Sequence, residues 1–147
     1  MNVHLYTIGF SGKTAEEFFK ILKSAGIKIL LDVRLNNTSQ LAGFTKSKDL
    51  KYFVKVILNG QYIYLSELAP TKELLKKYLK DKDWVNYEKE YLELLQKREI
   101  KNKVDIELLT GPSVMLCSEK SADKCHRRLA AEYIQKKLLP KLKIVHL

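Results

Sequence analysis

The segment from Val3 to Val33 constrains the fold most, because its pattern indicates a complete β-α-β unit. Residues 3–8 have the pattern of a strand, and residues 27–33 form a nearly continuous apolar run, as expected of a strand that is covered on both faces. Between them, Thr14 can cap a helix whose apolar residues recur at helical spacing. Two strands joined in this way are expected to lie parallel, with a right-handed crossover.

The rest of the chain continues the alternation of strands and helices. Strands are predicted over residues 61–65, 113–117 and 143–147, and helices around residues 50–57, 71–79, 83–95 and 125–140. This alternation predicts an α/β fold with a mainly parallel sheet flanked by helices, a three-layer αβα, Rossmann-like architecture. The aromatic stripe of Trp84, Tyr87 and Tyr91 is expected in the core. A length of 147 residues suits one domain, so residues 1–147 are predicted to form a single α/β domain.

The charge of the chain indicates which partners to consider. Lys and Arg number 27 against 17 Asp and Glu, which gives a formal net charge of +10. Nucleic acid or a phosphorylated small molecule is therefore a candidate partner, because neutralised phosphates release condensed counterions. The alternative is that the lysines only solvate the helix faces. Arg is the more informative residue, since it grips phosphate or carboxylate through two parallel hydrogen bonds.

Two patterns that we do not find in the sequence, a membrane-spanning stretch and a signal peptide, bear on the expected compartment of the protein and on the redox state of its cysteines. No apolar stretch approaches the ~20 residues of a membrane-spanning helix, and the N-terminus has no signal-peptide pattern. These features predict a cytoplasmic protein with no membrane partner. A disulfide between Cys117 and Cys125 is then not the default state, and two cysteines alone cannot complete a four-ligand structural zinc site. The sequence leaves the oligomeric state open.

Ionisable and nucleophilic groups follow three of the predicted strands. Residues 9–13 follow the first strand, and residues 32–34 (Asp-Val-Arg) end the second. Residues 117–119 (Cys-Ser-Glu) end the fourth, and residues 125–127 (Cys-His-Arg) begin the helix after it. Ligands of open parallel sheets bind beyond the carboxyl ends of the strands. We therefore expect these segments to form one site.

Four side chains in these segments are candidates for binding an anionic group: Ser11, Lys13, Arg34 and Arg127. Backbone amides at the start of the first helix, beside Ser11 and Lys13, can hold one phosphate. Arg34 can clamp a phosphate or carboxylate, or it can pair with Asp32, which lies two positions earlier on the same face. Both interpretations of Arg34 stay open.

The candidate catalytic residues are Glu119, Cys125 and His126. Glu119 and Asp32 can hold a divalent metal ion or accept a proton, and His126 can act as acid or base. Cys125 is expected on the exposed side of a loop–helix junction, where a helix start and basic neighbours lower the pKa of a thiol. Cys117 is expected to end the buried strand as a small apolar side chain.

These motifs resemble a known family. The sequence Tyr-Thr-Ile-Gly-Phe-Ser at residues 6–11, the Asp-Val-Arg step at 32–34, and Cys-Ser-Glu followed by Cys-His-Arg are similar to the domain-of-unknown-function family numbered 488. The resemblance covers nearly the whole chain. It implies an α/β fold with these segments grouped at one edge of the sheet, and it implies no particular reaction.

One leading hypothesis and two alternatives result. The leading hypothesis is that the basic site binds a phosphate-bearing ligand, such as nucleic acid, and hydrolyses it with a divalent metal ion. The first alternative is a cysteine-dependent enzyme, in which Cys125 with His126 performs thiol, sulfur-transfer or redox chemistry. The second is a non-catalytic module that binds anions. The sequence alone does not decide whether the protein is an enzyme.

Overall fold

A five-stranded parallel sheet forms the centre of the computed structural model, which describes residues 3–38 and 43–147. The strands are β1 (His4–Gly9), β2 (Ile29–Asp32), β3 (Gln61–Tyr64), β4 (Ser113–Cys117) and β5 (Lys143–His146). They lie in the order β3-β2-β4-β1-β5. Every neighbouring pair is parallel, with Ile8 opposite Leu116 and Leu31 opposite Met115. The predicted α/β fold with a parallel sheet is confirmed.

Helices cover both faces of this sheet. Within the two described segments they are α1 (Ala15–Ser24), α2 (Ser47–Leu58), α3 (Lys72–Asp81), α4 (Trp84–Lys97), α5 (Ile100–Lys103), α6 (Glu107–Thr110) and α7 (His126–Lys137). Two 3-10 turns, Gly43–Thr45 and Ser66–Leu68, precede α2 and α3. None of the helices described has the length and apolar character that crossing a membrane requires.

Each face of the sheet packs on a different set of helices, because side chains alternate along a strand. Val114 and Leu116 of β4 belong to one core cluster together with Phe18 of α1 and apolar residues of α2. Met115, between them, belongs to the other cluster together with Tyr91 of α4 and apolar residues of α7. The three layers of the predicted αβα architecture are thus present.

Beyond the carboxyl end of β4, the connections that follow neighbouring strands run to opposite faces of the sheet. Its neighbours β1 and β2 lead into α1 and α2 on one face, whereas β4 itself leads into α7 on the other face. Such divergence leaves a crevice beyond the strand ends, and this is where open α/β sheets bind ligands. Cys117, the last residue of β4, is therefore at the middle of this edge of the sheet, opposite Gly9 of β1.

Candidate functional site

Cys117 is buried at the end of β4 but has polar neighbours. Its side chain is 4% exposed, as expected for the end of a buried strand. Its Sγ lies 3.6 Å from Nδ1 and 3.9 Å from Nε2 of His126. The hydrogen bond from Cys125, described below, and the backbone amides of Ser118 and Glu119 lower the pKa of this thiol. Cys117 is thus more than the small apolar residue that the strand pattern indicated.

The ring of His126 is fixed by a backbone carbonyl. Its Nε2 lies 2.6 Å from the carbonyl oxygen of Val33, just beyond the end of β2. A carbonyl can only accept, so Nε2 carries a hydrogen, and in the neutral ring the lone pair is on Nδ1. The ring also packs edge-on against Tyr91, with 5.6 Å between the centroids. The ring of His126 is therefore held so that Nδ1, a proton acceptor, lies beside the sulfur of Cys117.

Cys125 is the N-cap residue of α7, and it is only 3% exposed. The prediction that it lies on the exposed side of the junction is wrong. The loop after β4 folds across the carboxyl end of the sheet, so the first residues of α7 face the interior. Here the hydrogen bond that Cys125 donates to Cys117 lowers the pKa of Cys117, despite the opposing effect of burial. The same bond, together with burial, raises the pKa of Cys125.

These three side chains form one group, which we name the thiol–imidazole cluster. The two Sγ atoms of Cys117 and Cys125 and a ring nitrogen of His126 all lie within 4.8 Å of one another. The two cysteines are free thiols. Two thiols with a proton acceptor can exchange disulfides, and two sulfurs with an imidazole nitrogen can also coordinate a metal ion.

The loop that follows β4 is held over the cluster by contacts with β1 and α7. A Cβ atom on Gly9 would lie 1.6 Å from the carbonyl oxygen of Glu119, so only glycine permits this approach of the two backbones. The guanidinium of Arg127, which is 1% exposed, donates to the carbonyl oxygens of Glu119 (2.5 Å) and Lys120 (3.4 Å). Its Nε also donates to the hydroxyl of Thr7. Arg127 thus supports the loop from within.

Asp32 and Arg34 form a buried ion pair. Nε and Nη2 of Arg34 donate to the two carboxylate oxygens at 2.8 and 2.9 Å, and Nη2 also donates to the carbonyl of Thr45. The hydroxyl of Tyr62 donates to the same carboxylate at 2.5 Å. Burial and this hydrogen bond raise the pKa of Tyr62. Arg34 therefore pairs with Asp32, which is one of the two interpretations left open above. Both carboxylate oxygens of Asp32, a predicted metal ligand, accept hydrogen bonds from this arginine.

Ser11 and Lys13 lie in the β1–α1 turn, just before α1, whose N-terminus is capped by its own side chains. The hydroxyl of Thr14 accepts from the amide of Glu17, and the Glu17 carboxylate accepts from the amide of Thr14. Lys13 donates to the carbonyl of Gly9 at 2.8 Å, and Ser11 is exposed. The amides of this first turn are already capped, and the turn carries an acidic side chain. It is therefore a poor binding site for an anion.

A cavity of about 130 Å³ reaches inward to the thiol–imidazole cluster. Its mouth is at the surface, since exposed residues such as Glu119 and Leu79 are part of its lining. One wall is aromatic: Trp84 stacks on Tyr87 with 5.2 Å between ring centroids, and Tyr78 contacts both rings. The cavity is lined by Arg34, Leu35, Asn36, Pro70, Leu75, Tyr78, Leu79, Trp84, Tyr87, Cys117, Ser118, Glu119, Lys124, Cys125 and His126.

Half of the side chains that the sequence singled out meet at this cavity, namely Arg34, Glu119, Cys125 and His126. Of the other half, Lys13, Asp32 and Arg127 contact the surrounding protein instead, and Ser11 is exposed. From the sequence, neither the sulfur of Cys117 nor the aromatic wall was assigned a role in the site. The position of Cys117 at the carboxyl end of a strand was a usable signal. No local pattern distinguishes the wall from core, because only the packing of α3 on α4 brings its rings to the strand ends.

Comparison with known proteins gives one family. The model described as "Domain of unknown function DUF488" matches residues 14–134 of the 147-residue chain. The matched segment contains the whole thiol–imidazole cluster, the Asp32–Arg34 pair and the aromatic wall, and it begins after the Gly9 turn. No curated protein and no solved structure gives a significant match.

Proposed function

This chain belongs to the DUF488 family, and we propose that its cavity is the active site of a cysteine-dependent enzyme that exchanges its thiols with a small disulfide substrate. The observation that carries the proposal is the meeting of two thiols and an oriented imidazole at the inner end of a cavity. A cysteine that only fills the core needs no proton acceptor beside it, whereas a reacting thiol does.

Cys117 is the attacking thiol, because the groups that stabilise its sulfur converge on it. Nδ1 of His126 is 3.6 Å from Sγ and can accept the thiol proton. The hydrogen bond from Cys125 and the backbone amides of Ser118 and Glu119 lower the pKa of this thiol. In the first step Sγ attacks one sulfur of the substrate disulfide. The disulfide bond of the substrate breaks, a mixed disulfide forms on Cys117, and half of the substrate leaves as a thiol with the proton.

Cys125 completes the exchange. Its sulfur lies within 4.8 Å of that of Cys117, so it is positioned to attack the mixed disulfide at the Cys117 sulfur. This step forms a Cys117–Cys125 disulfide and releases the second half of the substrate as a thiol. In sum, two electrons and two protons pass from the protein to the substrate disulfide.

The cavity selects a small substrate with an apolar or aromatic part. Its volume of about 130 Å³ is close to the roughly 150 Å³ of an apolar protein cavity that holds benzene. The rings of Tyr78, Trp84 and Tyr87 supply flat apolar contact next to the sulfurs. A disulfide that carries a small neutral ring therefore fits this site better than a large or highly charged one.

The phosphate-binding function expected from the sequence has weaker support in the same geometry. Arg34 already donates to Asp32 and Thr45, and Arg127 donates to backbone carbonyls. N–H groups that bond to protein oxygens are not free for phosphate without losing those bonds. The net charge of +10 is the observation that favours nucleic acid. Fluorescence titration with labelled DNA or RNA over a range of salt concentrations tests that second candidate.

The thiol proposal is tested with dithiodipyridine, a small neutral aromatic disulfide whose released thiopyridone absorbs light. The reduced, metal-free full chain is mixed with the reagent, and intact mass spectrometry follows the protein. Because the chain has only two cysteines, each released equivalent can be assigned. We expect two equivalents of thiopyridone and a protein lighter by two hydrogens, with no adduct retained.

Two serine variants separate the roles of the thiols. Cys125→Ser is expected to release one equivalent and to retain a stable mixed disulfide on Cys117. Cys117→Ser is expected to react at least ~10-fold more slowly, because burial raises the pKa of the remaining thiol, Cys125. Far-ultraviolet circular dichroism checks that both variants are folded. A Cys117→Ser variant that reacts as fast as the wild type, or a wild type that retains adducts on both thiols, contradicts the proposal.

A further inference from the structure

We propose that the thiol–imidazole cluster is also a zinc site, in which Cys117, Cys125 and His126 are the three protein ligands. Thiolate sulfur and imidazole nitrogen are ligands that Zn²⁺ prefers, and two sulfurs with one nitrogen are a known zinc donor set. This ligand set differs from Asp32 and Glu119, the metal ligands that the sequence indicated. The inference needs only the three ligands and does not depend on thiol exchange.

The distances within the cluster are close to those of a tetrahedral zinc ion. With bonds of about 2.3 Å to sulfur and about 2.0–2.1 Å to nitrogen, the sulfur and nitrogen ligands of one ion lie about 3.6 Å apart. Sγ of Cys117 is 3.6 Å from Nδ1 of His126. Two sulfurs on one ion lie about 3.8 Å apart by the same geometry. All three atoms are within 4.8 Å of one another, so small side-chain rotations would bring them to these distances.

The hydrogen bond of His126 to the protein leaves its other ring nitrogen available to a metal ion. A histidine that binds a metal through one nitrogen usually donates its other N–H to a carbonyl or carboxylate. His126 donates from Nε2 to Val33, and this leaves Nδ1 for a metal.

The fourth position of such an ion is open to the cavity. All three ligand residues are part of the cavity lining, together with the aromatic wall. Three protein ligands and one open position are the arrangement of catalytic zinc sites, whereas structural sites use four protein ligands. Zinc and disulfide formation also compete, because a sulfur that coordinates the ion is not free to attack a disulfide.

Cobalt titration tests the zinc site directly. Co²⁺ replaces Zn²⁺ in tetrahedral sites, and there it gives intense visible bands and a sulfur-to-metal charge-transfer band. The reduced, metal-free full chain is titrated with Co²⁺ and afterwards with Zn²⁺. We expect saturation at one equivalent, absorption of a tetrahedral ion with thiolate ligands, and loss of that absorption when Zn²⁺ displaces the cobalt. A wild type that gives no charge-transfer band overturns the inference.

Ligand variants then locate the ion. Cys117→Ser and Cys125→Ser should each remove about half of the charge-transfer absorption, and each should weaken zinc binding at least ~10-fold. His126→Gln retains a donor for the Val33 carbonyl but lacks the ring nitrogen, so the same weakening is expected with the fold retained. Asp123→Asn, an exposed change in the same loop, should bind zinc like the wild type. A His126→Gln variant that binds zinc as tightly as the wild type overturns the proposed ligand set.

A competition experiment distinguishes this inference from the proposed function. The dithiodipyridine reaction is measured in chelator and again with one equivalent of Zn²⁺. Zinc should slow thiopyridone release at least ~10-fold, since the ion binds both sulfurs. Exchange that proceeds equally fast with zinc overturns the zinc site and leaves the proposed function intact. Zinc binding in a protein that shows no exchange in chelator supports the zinc site and contradicts the proposed function.

Discussion

The Nε2 atom of His126 lies 2.6 Å from the carbonyl oxygen of Val33, a residue 93 positions earlier in the chain. This hydrogen bond connects the start of α7 to the end of β2, the strand that pairs with β4. It holds the helix against the sheet, and it also leaves Nδ1 as the acceptor beside the thiols. One side chain thus has a structural contribution and a chemical contribution, and two substitutions can separate them.

We predict that His126→Ala destabilises the protein more than His126→Gln. Alanine leaves the buried carbonyl of Val33 without its partner, which costs about 1–3 kcal/mol. Glutamine can place an amide N–H near the position of Nε2, so most of that stability is retained. Both variants lack the proton acceptor and should slow thiol exchange by about 10²-fold. Urea unfolding and the dithiodipyridine assay measure the two effects separately.

Two outcomes would contradict this division of roles. Equal destabilisation by alanine and glutamine would mean that the packing of the ring against Tyr91, rather than the bond to Val33, holds the start of α7. An exchange rate in His126→Gln equal to that of the wild type would mean that His126 does not accept the thiol proton.

The second prediction concerns the hydroxyl of Tyr62, which donates to the buried Asp32 carboxylate at 2.5 Å. Tyr62→Phe should lower the free energy of unfolding by about 1.5–3 kcal/mol, the range for a hydrogen bond to a charged group. Tyr64→Phe on the same strand is the matched control, because Tyr64 is 40% exposed. Its effect should stay within about 0.5 kcal/mol. Urea unfolding near neutral pH compares the variants, and equal effects would contradict the prediction.

The same hydroxyl predicts a dependence of stability on pH. Burial and the hydrogen bond to Asp32 raise the pKa of Tyr62 above its ordinary value of 10.0. Above about pH 10 the unfolded chain loses the phenol proton while the folded protein keeps it, so the stability that this group contributes falls as pH rises. The advantage of the wild type over Tyr62→Phe should be complete below about pH 10 and should shrink above it. A difference that stays constant to about pH 11 would contradict this.

The fold could be predicted because short-range sequence patterns indicate its strands and helices. The strand patterns, the Thr14 cap and the covered apolar run of residues 27–33 all depend on residues close in the chain. The helices α5 (Ile100–Lys103) and α6 (Glu107–Thr110) were not predicted, since four residues are too few to show a helical period. Parallel topology then places the strand ends at one edge, which is why the general location of the site could be predicted.

The composition of the site was less predictable because it depends on contacts between distant residues. Asp32 meets Tyr62, 30 positions later, and Arg127 meets Thr7, 120 positions earlier. These contacts engage groups that the sequence indicated for metal or anion binding. The burial of Cys125 likewise results from the fold of a loop, which no spacing rule specifies. Local patterns indicated reactive residue types, and tertiary packing decided which of them face the cavity.

The fourth prediction is that Gly9→Ala disturbs the loop over the cluster. A methyl group at this position would lie 1.6 Å from the carbonyl oxygen of Glu119, and both sides of the clash are backbone, so the loop must move. We expect a loss of about 1–3 kcal/mol, the range for overpacking, and slower thiol exchange. Gly43→Ala is the control, since an added Cβ there meets no atom within 4 Å. Equal stability of the two variants would contradict the close approach.

The fifth prediction concerns the aromatic wall. Trp84 stacks on Tyr87 beside the thiols, and an aromatic contact of this kind contributes about 0.5–1.5 kcal/mol. Trp84→Ala should therefore slow exchange with dithiodipyridine about 2- to 10-fold, while exchange with hydroxyethyl disulfide, which has no ring, should change little. Val85→Ala is the matched control, because Val85 is the next residue in α4 and is 78% exposed.

The ratio of the two rates is the informative measurement, since it separates recognition from general damage to the site. If Trp84 only supports the thiol–imidazole cluster, its removal slows both disulfides equally and the ratio is unchanged. If its ring contacts the substrate, the ratio of aromatic to aliphatic rates falls by the same 2- to 10-fold. An unchanged ratio in Trp84→Ala would thus contradict a substrate-binding wall, even if both rates were low. A ratio that fell equally in Val85→Ala would assign the effect to α4 as a whole.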